Sequence, residues 1–256
     1  GENKRLRRMT NLVNAIQSEE LKKALAPLCS GGPYGRIFDS DVDSLQLGSW
    51  QTFEMEKLMS TPQIVGTTLM YIFHRIEQSL KGEPTIIVLD ECWVFFDNEQ
   101  FAAKIREWLK VLRKANASVI FATQSITDIV NSPIFHTVLE SCPSRVFLPN
   151  NDALEEKTAE NYGLFGLNRR QIEILASATK KLHYYYVSPY GSRLFQLALD
   201  ACPVSLAYVA VNTKGVNAAK EIFRDYGADG FNRRWLIRSN IIEDKSADPP
   251  EEIAAE

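Results

Sequence analysis

The chain has 256 residues, 45% hydrophobic and 24% charged, the composition of an ordinary globular protein with enough length for one large core and a small appendage. A formal charge of −3 excludes a wholesale nucleic-acid coat, and no apolar run reaches the roughly 18 residues that a membrane span needs. The charge is uneven: Lys4, Arg5, Arg7 and Arg8 make a basic start, and the end, IEDKSADPPEEIAAE, is acidic and reads as a disordered tail.

From Lys4 to about Cys29, Leu6, Met9, Val13, Ile16, Leu21, Leu25 and Leu28 recur at three-to-four spacing and predict a helical segment. The turn cluster SGGPYG stops it, and RIFD, Arg36 to Asp39, reads as a short strand. Phe53 to Leu58 is an apolar-acidic element of either type. Thr61–Pro62 opens a helix through about Ser79, with Ile64, Leu69, Ile72, Phe73 and Ile76 as its buried stripe, and LKGEP ends it.

Thr85 to Leu89 is an unalternating apolar strand, the pattern of a central parallel strand covered on both faces. Glu99 to Ala115 is helical, with Phe101, Ile105, Trp108, Leu109 and Leu112 on one face. SVIFAT, Ser118 to Thr123, is a second buried strand, so the stretch forms a right-handed βαβ unit. Arg145 to Leu148 is a third strand, and the whole argues for an α/β domain with a parallel sheet. Beyond Pro149 the texture changes. Asp152 to Tyr162 is helical, and Asn168 caps a further helix to about Thr179, with Gln171 in the reciprocal position. KLHYYYVSPYGSRLFQLAL reads as a β-hairpin turning at Ser188 to Ser192, and Val216 to Tyr226 as a last amphipathic helix.

No secretory signal pattern is visible. Cys29, Cys92, Cys142 and Cys202 are scattered without a C-x-x-C pair and read as reduced, buried thiols. His74, His136 and His183 lack metal-ligand spacing.

The strand TIIVL runs into two adjacent acids, Asp90 and Glu91. Ligands of open α/β sheets bind at the carboxyl ends of the strands, and these acids stand at such an end. An aspartate there helps P-loop NTPases to hold Mg²⁺, and a neighbouring glutamate can polarise the attacking water. The plain alternative is an acidic cap on a loop. SVIFAT also ends at a polar side chain, Gln124, 124 − 90 = 34 residues after Asp90, about one helix and one strand. Adjacent strands would converge Asp90, Glu91 and Gln124 on one crevice, where an amide can contact a γ-phosphate; otherwise Gln124 caps a polar loop.

IIVLDECWVFF, EWLKVLRKANASVIFATQS, SCPSRVFLPN and YGLFGLNRRQIEIL, in this order, resemble the carboxyl-terminal motor domain of the CagE/TrbE-type ATPases of type IV secretion and conjugal transfer. The resemblance runs from about Gly32 to Leu199. It implies a RecA-like P-loop fold, ATP with Mg²⁺ as cofactors, a hexameric motor, and a bacterial cytoplasmic location on an inner-membrane secretion complex with its other subunits. Asp90 and Glu91 match the family's Walker B acids, with Asp90 on the metal and Glu91 as general base. Gln124 matches its polar sensor. The departure is the phosphate-cradling G-x-x-x-x-G-K-[ST], which does not occur here; TKG, Thr213 to Gly215, has the order reversed. The chain therefore reads as the part of a longer ATPase that follows the P-loop, inactive in isolation.

Motors of this kind insert an arginine into the next subunit's site. Arg113 in LRKANA and Arg145 in SCPSRVFL are the candidates, against plain roles as a helix-end cation and a solvated strand end. Arg113 is preferred for standing near the ligand-binding edge of the sheet. In the run Tyr184, Tyr185 and Tyr186, hairpin alternation puts the outer two on one face and Tyr185 on the other, which favours packing over nucleic-acid stacking; direct nucleic-acid binding is left open. The expected division is a helical segment over 1–35, a RecA-like core with hairpin over 36–200, a helical segment over 201–240 and the acidic tail over 241–256. Two rival functions stand beside the secretion motor: a non-catalytic assembly module of the same machinery and an FtsK-like DNA pump.

Overall fold

The computed structural model describes residues 8–92 and 99–244. The chain divides into two compact units, Gly1–Pro84 and Thr85–Glu256.

In the first unit the apolar spacing at the start yields two helices, α1 (Met9–Ala15) and α2 (Glu19–Leu25), rather than one. The extended backbone at Ile16 ends α1, and the Ser18 hydroxyl caps α2. A 3₁₀ turn, Ala26–Leu28, follows. The RIFD segment, expected as a strand, is the short helix α3 (Gly35–Phe38). Its turn is forced by close packing, because a Cβ at Gly35 would stand 2.1 Å from the Cys29 carbonyl oxygen. Buried Asp39 at its end accepts hydrogen bonds from the Thr10 hydroxyl, the Thr10 N–H and the Ser30 N–H, which anchors α3 to α1. Burial alone would raise the Asp39 pKa, but these donors outweigh it and hold the carboxyl below its usual value. The Phe53–Leu58 element is the single helical turn α4 (Glu56–Met59). Helix α5 (Pro62–Ser79) starts on its proline as expected. It buries Ile64, Leu69 and Phe73, while Ile72 and Ile76 are half-buried. The guanidinium of Arg75 pairs with Asp43 and donates to the Leu45 carbonyl, tying the preceding loop to the helix.

The second unit opens with the predicted βαβ unit: β1 (Thr85–Leu89), α6 (Glu99–Val111) with a 3₁₀ turn Leu112–Ala115, and β2 (Ala117–Phe121). The strands pair in parallel from Thr85↔Ala117 to Leu89↔Phe121. Phe101, Ile105, Trp108 and Leu112 are all at most 3% exposed, so this stripe is the centre of the core. Asn116 turns the chain into β2 with φ of 56°, a left-handed value that Asn tolerates. Coverage of β1 differs from the expectation. Ile87 and Leu89 are buried, but Ile86 and Val88 are 70% and 60% exposed. One crossover helix covers one face of a two-stranded sheet, and an apolar run cannot tell one covered face from two.

After α7 (Ile126–Val130) and α8 (Phe135–Ser141), the third strand β3 (Arg145–Phe147) does not join the parallel pair. It runs antiparallel to β4 (His183–Ser188), which pairs with β5 (Gly191–Gln196). Strand type was legible from residue type, whereas partner choice depends on chain far away in sequence. Between β3 and β4 lie α9 (Glu156–Leu164) and α10 (Arg169–Ser177), the latter with the expected reciprocal cap between Asn168 and Gln171. Phe135, Phe147, Tyr162 and Phe165 form edge-to-face contacts at 5.3–6.0 Å between ring centres. Tyr185 is 3% exposed while Tyr184 and Tyr186 are half-buried, matching the predicted alternation. Within the helical segment expected over 201–240, α11 (Pro203–Val209) was not expected as a separate helix, and α12 (Thr213–Arg238) outruns the expected helix end at Tyr226. The helix breaks there, at Gly227 with φ of 64°, and then resumes. Trp235, 5% exposed, fastens the resumed stretch by donating to the Ala207 carbonyl at 3.0 Å. Residues Lys4, Arg5 and Arg7 and most of the acidic tail, 245–256, lie outside the described residues.

Candidate nucleotide site at the carboxyl edge of the parallel strands

The ladder between β1 and β2 continues past the strand ends. The Ala122 N–H donates to the Leu89 carbonyl and the Cys92 N–H to the Ala122 carbonyl, each at 2.9 Å. These two bonds bring Asp90, Glu91 and Gln124 to one edge. Glu91 has φ of 49°, left-handed and uncommon for a non-glycine residue, which costs about 1 kcal/mol or more. Two contacts go with that conformation. The Glu91 N–H donates to Asp90 Oδ1 at 3.0 Å, and the Gln124 Nε2 amide donates to Glu91 Oε1. The two acids and the amide, 33–34 residues apart in sequence, thus form one continuous polar group. Asp90 and Gln124 are exposed and Glu91 is half-buried, so the group is open to an incoming ligand. The floor beneath it is apolar. Cys92 is fully buried, and burial pushes its thiol up to about 12, which keeps it neutral. Cys29 is buried as expected, whereas Cys142 is half-buried and Cys202 is exposed.

The donor set suits Mg²⁺ rather than a caged metal. Among the described residues no three His, Cys, Asp or Glu side chains cluster as a metal site. A hard cation that keeps waters and takes phosphate oxygens needs only one carboxylate, and Asp90 offers one at the sheet edge.

Neither candidate arginine joins this group. Arg113 sits in the 3₁₀ turn before β2, where the Thr85 N–H donates to the Asn116 carbonyl at 3.1 Å. That is the amino edge, roughly 15 Å of strand from Gln124. The ground for preferring Arg113 is therefore corrected: adjacency in sequence to a strand places a residue at its start, not at its ligand-binding end. Its side chain is exposed. Arg145 is half-buried, with Nη1 donating to the Phe165 carbonyl at 3.1 Å and Nη2 to the Leu139 carbonyl at 2.8 Å. It is not a solvated strand end. Its fork ties the carboxyl-terminal regions of α8 and α9, where carbonyls lack helical partners and a cation is favoured. Arg145→Ala is expected to lower stability by about 2–3 kcal/mol, since hydrogen bonds to charged groups contribute roughly 1.5–3 kcal/mol each and this one is partly solvated. Arg145→Lys should recover only a fraction, because an ammonium cannot fork across two carbonyls. Urea midpoints check this; an unchanged midpoint in the alanine variant would remove Arg145 from the fold's support.

Two further polar residues, Ser125 and Asn161, had no expected role. Ser125 Oγ accepts from the Asp128 N–H and caps α7, immediately after Gln124. Asn161, 9% exposed in α9, donates to Thr127 Oγ1 on α7 at 3.1 Å. The S-x-x-D spacing could have announced the cap. The Asn161–Thr127 pair spans 34 residues and exists only in the fold.

Residues 4–190 match the TraG P-loop domain family. The chain belongs to that family. A probable conjugal transfer protein TrbE from Sinorhizobium fredii is 45% identical over 232 residues, covering 90% of this chain and 35% of that protein. "Conjugal transfer protein TrbE" of Rhizobium radiobacter is 43% identical over 92% of this chain and 28% of its own length. "Type IV secretion system protein virB4" of Bartonella quintana is 33% identical over 78% of this chain and 25% of its own length. The chain spans about a third of the length of the first of these relatives and less of the others. The solved VirB4 structure of Thermoanaerobacter pseudethanolicus covers 73% of this chain and 51% of its own, with a TM-score of 0.55 at 20% identity, a likeness of fold. The TraG P-loop domain family and the fold of this neighbour bear out the α/β P-loop class, and the family match with the TrbE relatives bears out the CagE/TrbE-type resemblance. Among the described residues no helix is long and apolar enough to cross a membrane.

Proposed function

We propose that this chain forms the hydrolytic edge of an ATP-driven motor for type IV secretion or conjugal transfer. The observation that supports it most is the Gln124 amide bonded to the Glu91 carboxylate, beside Asp90, at the shared carboxyl edge of two parallel strands. Bound Mg²⁺ would neutralise phosphate charge and orient the nucleotide. Asp90, as the Walker B aspartate, would hold the ion. Glu91 takes the proton of the attacking water, and Gln124 reads the presence of a γ-phosphate by exchanging its bond to Glu91 for one to phosphate oxygen. ATP binding also needs a phosphate cradle, and this sequence has no G-x-x-x-x-G-K-[ST]. In this reading the cradle comes from polypeptide outside the sequence, the motor is a ring, by family resemblance a hexamer, docked with other secretion subunits at the cytoplasmic side of the inner membrane, and the exposed Arg113 reaches the neighbouring site.

A non-catalytic assembly role is the second reading, favoured by the same missing cradle. Titration calorimetry with Mg·ATP and a phosphate-release assay on this chain test the first. The expected result is weak binding and no turnover. Turnover that disappears in Glu91→Gln would overturn the assignment of the cradle to outside polypeptide. Strong binding without turnover, unchanged in Asp90→Ala and Glu91→Gln, would overturn the site itself.

A further inference from the structure

We propose that Thr127 and Asn161 are positioning residues for Gln124, their hydrogen bond holding the short helix that sets where the Gln124 amide stands against Glu91. The inference rests on the reading of Gln124 as a site residue. Gln124 is exposed, so packing does not fix its place. Its backbone is fixed from both sides instead. On the amino side the Ala122 N–H is bonded to the Leu89 carbonyl, which extends the rigid β1–β2 ladder to within two residues. On the carboxyl side the Ser125 N–H donates to Thr123 Oγ1 at 3.3 Å, and α7 begins at once.

Helix α7 has only five residues and buries only Ile129, and a helix this short is not stable by itself. It needs a rigid neighbour. Helix α9 is one, since Tyr162 is 4% exposed and accepts from Asn150 Nδ2 at 3.3 Å, and Arg145 holds the Phe165 carbonyl that follows. The link from α9 to α7 is the Asn161 amide on Thr127 Oγ1, three residues from Gln124. A buried amide is directional, and it fixes the rotation of α7 where apolar contact at Ile129 would permit sliding. Rotating α7 moves Ser125 and, through it, Gln124.

The test uses Thr127→Val, which keeps the shape and removes the hydroxyl, Thr127→Ala as a second probe, and Thr127→Ser, which keeps the hydroxyl. The first readout is the ¹⁵N-labelled side-chain amide resonance of Gln124 in this chain, assigned by its disappearance in Gln124→Ala. It is expected to shift or broaden in the valine and alanine variants and to match the parent in the serine variant. An unmoved resonance in Thr127→Val or Thr127→Ala overturns the proposal. The second readout is ATP hydrolysis in a protein that carries this sequence together with a P-loop. There Thr127→Val should lower kcat roughly 10–100-fold, the scale of a misplacement near 1 Å, with KM for ATP unchanged. It should add nothing in a Gln124→Ala background, because both changes remove one function. A full additive loss in that background would overturn the positioning route. A moved resonance beside a Gln124→Ala variant of unchanged kcat would uphold the positioning and overturn the proposed role of Gln124.

Discussion

Glu91→Gln, placed in a protein that carries this sequence and a P-loop, lowers the rate of ATP hydrolysis by roughly 10²–10⁴-fold and leaves ATP affinity near that of the parent. The amide has the shape of the carboxylate but cannot accept the proton of the attacking water. It can still face Gln124, since the amide oxygen accepts the bond that Glu91 Oε1 accepts now. The left-handed backbone at Glu91 is no obstacle, because Gln meets the same backbone cost as Glu. Fluorescent-nucleotide binding and single-turnover phosphate release separate the two effects. An unchanged kcat would remove Glu91 from the mechanism. The same variant serves the arginine question. Subunits carrying Glu91→Gln with intact Arg113, mixed with subunits carrying Arg113→Ala with intact Glu91, should regain some of the activity that each lacks alone. No recovery in rings shown to be mixed would exclude Arg113 as a residue acting in trans. Arg145 is held by two carbonyls of its own chain and is the weaker candidate.

The second large effect is on stability. Trp108→Ala is expected to cost about 3–5 kcal/mol, the range for emptying a fully buried aromatic site. Trp108 is 1% exposed on α6, between Ile105 at 1% and Leu112 at 3%, so there is little room for neighbours to collapse into the void. Folded domains hold roughly 5–15 kcal/mol in all, so the variant should be partly unfolded at 37 °C. Trp108→Phe should keep more than half of the loss from appearing, because most of the apolar volume remains. Urea denaturation followed by circular dichroism measures both. A loss under about 1 kcal/mol for the alanine variant would mean that α6 does not pack as described. Because α6 joins β1 to β2, its loosening should also weaken the register that brings Glu91 to Gln124.

Local elements and the meeting of the two parallel strand ends were readable along the chain. The apolar stripe of α6, the two strands around it, the Asn168–Gln171 cap and the hairpin were all legible, because each depends on residues within one or two turns of each other. So was the approach of Asp90 and Glu91 to Gln124, since strands joined by one crossover helix are commonly neighbours and, being parallel, share a carboxyl edge. Other features arose only from long-range packing. RIFD became helical because Gly35 packs against the Cys29 carbonyl and Asp39 gathers donors from residues 9 and 29 positions away. β3 chose β4 rather than the parallel pair, Arg145 turned from strand end to helix tie, and Asn161 found Thr127. Each of these depends on a partner brought close only by folding. The spacing of side chains along the chain carries the period of a helix or strand, but not the identity of what will lie against it.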